Sequence, residues 1–115
     1  MMYVGLDVHK KVCYGTVMDE NGIVVKQGKF SNDFEALYSF MDGLQGASVV
    51  MESGYCWQPL YEALEQSGHT VKLAHPKEAK ALTKKKTDKV DSEILAHLIR
   101  TEHLPESYVP SWKIR

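Results

Sequence analysis

Residues 2–30, MYVGLDVHKKVCYGTVMDENGIVVKQGKF, decide the architecture. Val4, Leu6 and Val8 alternate with Tyr3, Gly5 and Asp7, which predicts a strand over 2–8. His9 and Lys10 leave room only for a tight turn before a second strand over 11–18. Asp19-Glu20-Asn21-Gly22 then reads as a hairpin turn into a third strand over 23–30. The opening is therefore a three-stranded antiparallel meander.

Downstream the apolar spacing changes. Ser31 or Asn32 is placed to cap a helix in which Phe34, Leu37, Tyr38 and Met41 recur at helical spacing before Gly43. The apolar run 47–51 reads as a buried strand delivering Glu52 at its C-terminal end. A second helix carries Pro59 in its first turn, shows a stripe of Trp57, Leu60, Tyr61 and Leu64, and closes at Gly68. The last strand spans 70–74, a short helical turn runs from Pro76 to about Leu82, and a final helix covers about 88–101. The order β-β-β-α-β-α-β-α-α predicts an α/β fold: a mixed sheet in which the meander continues into β-α units, with helices on the sheet faces.

Composition bounds the function classes. A chain of 115 residues that is 43% hydrophobic can bury a real core, which excludes disorder. No apolar run approaches the ~20 residues of a membrane span and no signal-peptide pattern opens the chain, so the expectation is a cytoplasmic protein with no membrane partner. Cys13 and Cys56, in no C-x-x-C pattern, supply neither a disulfide framework nor a zinc site. Five histidines likewise fall in no ligand spacing and read as surface or capping residues. The net charge of −1 conceals a local excess: residues 72–89 carry seven lysines against two acids, a basic strip suited to a polyanion.

Four acidic residues on three elements stand out. Asp7 lies in an otherwise apolar strand, beside a glycine that permits close approach of a backbone or a ligand. Glu52 follows a buried strand, where ligands of α/β sheets bind, although it could instead cap the next helix. Asp88 and Asp91, three residues apart, share one face of the last helix, which Leu95 and Leu98 continue toward the core; a cap with a solvated neighbour is the alternative. Carboxylates drawn together about 4 Å apart repel by about 4 kcal/mol at an effective dielectric of 20. Such a cluster needs a cation, and oxygen-only ligands favour Mg²⁺ or Mn²⁺, the ions of phosphodiester chemistry.

The blocks Val4-Gly5-Leu6-Asp7-Val8-His9-Lys10, Met51-Glu52-Ser53-Gly54-Tyr55-Cys56-Trp57 and Lys86-Thr87-Asp88-Lys89-Val90-Asp91 resemble those of the DEDD insertion-sequence transposases related to the Piv DNA invertase. The resemblance implies a RuvC-like member of the RNase H-like fold, with Asp7, Glu52, Asp88 and Asp91 as catalytic and metal-binding residues. It implies DNA as partner, in some members a structured guide RNA, homo-oligomeric assembly of the full-length protein, and a further C-terminal domain with a nucleophilic serine. Residues 1–104 are then the catalytic domain and 105–115 a linker toward that second domain, which makes the chain an N-terminal fragment unable to recombine DNA alone. The family usually has a threonine between the serine and glycine after the glutamate, an arginine at the position of Lys89 and an alanine at that of Ser92. Lys84, Lys85 and Lys86, with Lys89, are the expected nucleic-acid contacts. Two rivals remain: a non-catalytic nucleic-acid-binding module, and a fragment of an actin-like ATP-dependent kinase, for which the chain lacks glycine-rich phosphate loops.

Overall fold

The computed structural model describes residues 1–52, 57–74 and 88–101, with the side chains of 88–91 excepted. The turn from 76 to 82, the segment 83–87 and the tail from 105, all singled out in the sequence, lie outside the described residues.

Three strands, β1 (Tyr3–Val8), β2 (Val12–Met18) and β3 (Val24–Ser31), form the expected meander. His9 N donates to Val12 O at 3.0 Å and closes the first turn. In the second turn Asp19 Oδ1 accepts from the backbone N–H groups of Asn21 and Ile23, and Gly22 adopts φ 81°, where a side chain would be strained. After α1 (Phe34–Met41), β4 (Ser48–Glu52) pairs parallel to β1; after α2 (Gln58–Gln66), β5 (Thr70–Ala74) pairs parallel to β4. The last helix is α3 (Asp88–Arg100). The sheet order is β3-β2-β1-β4-β5, so β1 is central and antiparallel pairing gives way to parallel pairing across it.

Helices cover both faces, which explains why β1 is buried along nearly its whole length. On one face Val4, Leu6, Val8 and Val17 meet Leu37, Phe40 and Met41 of α1 and Leu60, Tyr61 and Leu64 of α2. On the other, Leu95 and Ile99 of α3 pack on Val50 and Ala74, with Tyr3 alongside. Trp57 lies edge-on to Tyr61, whose hydroxyl donates to Val71 O, so these aromatics serve the core. Among the described residues no helix is long and apolar enough to cross a membrane.

Helix α1 departs from the expected frame. Its N-cap is Asp33, whose Oδ1 accepts from Ala36 N at 2.7 Å. Ser31 belongs to β3, and the Asn32 amide instead donates to the His9 carbonyl, bracing the β1–β2 turn. The inward stripe is accordingly Leu37, Phe40 and Met41, while Phe34 and Tyr38 stack on each other, each half exposed. In α3 the buried line is Ser92, Leu95, Ala96 and Ile99, with Leu98 only partly covered.

Candidate active site

Parallel pairing of Leu6 with Met51 brings the next residue of each strand, Asp7 and Glu52, side by side at the C-terminal ends of β1 and β4. Both are buried, Asp7 to 2% exposure and Glu52 to 7%. A hydrogen bond joins the two carboxyls. Burial, then that bond and the charge of Glu52, push the Asp7 carboxyl up to about 8, against a smaller opposing pull from His9. His9 Nε2 lies 3.0 Å from Asp7 Oδ2, fixing one oxygen of the pair from the turn beyond β1. At neutral pH Asp7 therefore holds its proton, the alternative to a cation for a buried carboxyl beside another.

The glycine before Asp7 serves a backbone. A Cβ on Gly5 would lie 2.6 Å from Ala96 N and closer still to the Ser92 carbonyl oxygen. Only glycine lets α3 sit this deeply on β1. At the same seat Ser92 Oγ and Thr16 Oγ1, both fully buried, are 2.7 Å apart. Gln27 donates to Thr16 Oγ1 at 2.8 Å and to Glu93 at 3.2 Å, extending this polar clasp to β3. Arg100, at the far end of α3, lies against Gly22, in the hairpin at the opposite end of the sheet from Asp7. The helix therefore runs antiparallel to β1, with the backbone of its first turn, 88–91, toward the Asp7 end.

The structure thus brings Asp7 and Glu52 together and directs the start of α3 to the same end of the sheet. The side chains of Asp88, Lys89 and Asp91 lie outside the described residues, as do Lys84, Lys85, Lys86 and Cys56. Among the described residues no three His, Cys, Asp or Glu side chains form a ready metal-binding group. One histidine departs from the surface reading: His69 is buried with Nδ1 accepting from Ala47 N at 3.0 Å, its imidazole held below its ordinary value by burial. His9 is exposed, as expected, and also reaches Asp7. The turn that begins at His9 directly after β1 brings it back beside Asp7. Burial also pushes the Cys13 thiol up to about 11, so this cysteine is not poised as a nucleophile.

The model of the DEDD transposase family of IS110 type, described as a transposase, matches residues 4–114. The chain belongs to this family. No curated protein matches it. The mixed five-stranded sheet with helices on both faces is the RNase H-like fold expected of an IS110-type DEDD transposase. Membership sets aside the kinase reading and places the chain among the enzymes that move insertion-sequence DNA.

Proposed function

We propose that residues 1–104 are the catalytic domain of this transposase, with Asp7, Glu52, Asp88 and Asp91 holding Mg²⁺ or Mn²⁺ and directing the cleavage and exchange of DNA strands. The observation that carries the reading is the buried Asp7–Glu52 pair at the ends of adjacent parallel strands, too close for both to be ionised without a cation. Its donor set, carboxylate oxygen only, suits a hard divalent ion. Bound there, the ion supplies charge neutralisation and Lewis-acid polarisation of a phosphodiester. Asp7 would release its proton to hold the ion beside Glu52, and His9 keeps Asp7 Oδ2 in place. The seating of α3 on Gly5 supports the participation of Asp88 and Asp91, whose backbone it carries toward the pair. Lys84, Lys85, Lys86 and Lys89 neutralise phosphates of the DNA, and of a structured guide RNA where one is used. Residues 105–115 lead to a second domain bearing the serine nucleophile, and the full-length protein works in the cytoplasm as a homo-oligomer.

The test combines binding and activity. Mg²⁺ or Mn²⁺ should raise the Tm of the chain, because an ion that binds only the folded state stabilises it by mass action. Asp7→Asn should abolish that rise, and in the full-length transposase Asp7→Ala or Glu52→Ala should eliminate strand exchange with the fold intact. A metal-induced rise that survives in Asp7→Asn, or recombination by either alanine variant, refutes the assignment.

A further inference from the structure

The register of the meander extends the site sideways. Asp7 pairs with Tyr14 on β2, and Tyr14 pairs with Lys29 on β3. Cross-strand partners share a sheet face, so Glu52, Asp7, Tyr14 and Lys29 form one row across β4, β1, β2 and β3. Gln27, two residues before Lys29, bonds to Glu93 of α3, which identifies this as the α3 face. The neighbouring row, Gly5 with Thr16, lies beneath Ser92. Tyr14 is half-buried and Lys29 is exposed. Strands stand about 4.8 Å apart, so Lys29 Cα lies roughly 10 Å from Asp7 Cα, two strands over. Among the described residues the Tyr14 hydroxyl and the Lys29 ammonium have no hydrogen-bond or ion-pair partner, although most of the polar groups around them are engaged.

We propose that Tyr14 and Lys29 form a positioning track for one nucleic-acid strand, which leaves the carboxylate pair across β2 toward the free edge of β3. The Lys29 ammonium pairs with a backbone phosphate flanking the one held at Asp7 and Glu52. The Tyr14 hydroxyl donates to a phosphate oxygen between them, over a ring that gives the strand an apolar seat. The order of chemistry along the row carries the inference. Acids that need a cation come first, then a neutral donor, then a free cation beyond pairing distance of the acids, a sequence complementary to consecutive phosphates rather than to an acidic peptide or a single anion. The proposal rests on the reading of Asp7 and Glu52 as the reacting end of the track, but its contacts are separate from theirs.

The experiment measures binding of a fluorescent single-stranded DNA oligonucleotide to the chain by anisotropy across a salt series, with and without Mg²⁺. Lys29→Ala should weaken binding and reduce the slope of log affinity against log salt by ~0.7, one phosphate contact on a single strand. Lys29→Arg should restore the slope. Tyr14→Phe should weaken binding and leave the slope unchanged, since it removes a neutral donor. Lys26→Ala, an equal charge loss on the opposite face of β3, where Nζ donates to Phe40 O, serves as control and should leave the slope intact. Unchanged affinity and slope in Lys29→Ala, or an equal change in Lys26→Ala, overturns the track. If the slope falls as expected while Mg²⁺ has no effect on binding or Tm, the track stands and the metal reading of the carboxylates is what fails.

Discussion

Replacing Asp7 by Asn removes one of the two ionisable groups of the buried pair while keeping its shape, and the effect on stability has a definite pH signature. The folded protein holds the Asp7 proton up to about pH 8, whereas an unfolded chain releases it near the ordinary value of 3.8. Between these limits unfolding releases a proton, so stability falls as pH rises, by about 1.4 kcal/mol per unit for one full proton. The favourable contribution is whole below pH 3.8 and is lost as pH climbs through about 8. Across two units, from pH 5 to pH 7, the parent should lose about 3 kcal/mol from this source. Asp7→Asn should lose none of it, because the amide has no proton to release over this range and can still bond to Glu52. Urea denaturation in metal-free buffer at pH 5, 6 and 7 measures both proteins, and the difference between them cancels every group that titrates alike in each. Stability curves that stay parallel across this range would show that Asp7 does not hold a proton in the folded state, and would remove the electrostatic basis of the proposed metal site.

Three further outcomes are expected. Gly5→Ala should destabilise by 1–3 kcal/mol or more, since its methyl meets the α3 backbone rather than a side chain that can move aside, and the surviving folded protein should respond less to Mg²⁺; Tm with and without the ion checks both. Ser92→Ala should cost about 1 kcal/mol in urea denaturation, because Gln27 still covers the Thr16 hydroxyl that loses its partner. Replacing Lys84, Lys85 and Lys86 together by Ala should weaken binding to duplex DNA and reduce its salt slope by up to ~2.7, with an unchanged slope reducing these lysines to a solvated segment.

Much of the frame was legible because both faces of the sheet impose simple patterns. The alternation of Val4, Leu6 and Val8 located β1, the bounds of β5 were read as they stand, and the stripe Leu60, Tyr61, Leu64 fixed α2. Gly5 announced a close approach, and the structure supplies the α3 backbone as the approaching group. Helix α1 was misframed because Ser31, Asn32 and Asp33 are three consecutive capping residues, and only the tertiary bond from Asn32 to His9 leaves the cap to Asp33. Large aromatics at Phe34 and Tyr38 then joined Leu37 and Met41 in the expected stripe in place of Phe40, though they face outward. At the site, Asp7 and Glu52 were found as carboxylates at strand ends, but their partnership depends on the parallel pairing of β1 with β4, which no local pattern encodes. Tyr14, Lys29 and His69 carried no local signal, since each acquires its role from a neighbouring strand or segment.

The seat of α3 on Gly5 also bears on the order in which the molecule is made. Among the described residues the sheet consists of β1 to β5, and their pairings can close as soon as position 74 is available. The helix that rests on Gly5 arrives only with positions 88–100, so the contact joins β1 to a segment far downstream of it and closes a long loop. A nascent chain therefore passes through an interval in which β1 and β4 are paired while the face that carries Asp7, Glu52, Thr16 and Val50 still lies open to water. On the proposed reading of these carboxylates as a metal site, Mg²⁺ affinity should then rise abruptly with helix docking, which makes the appearance of Mg²⁺ binding during refolding a clock for the seating of α3.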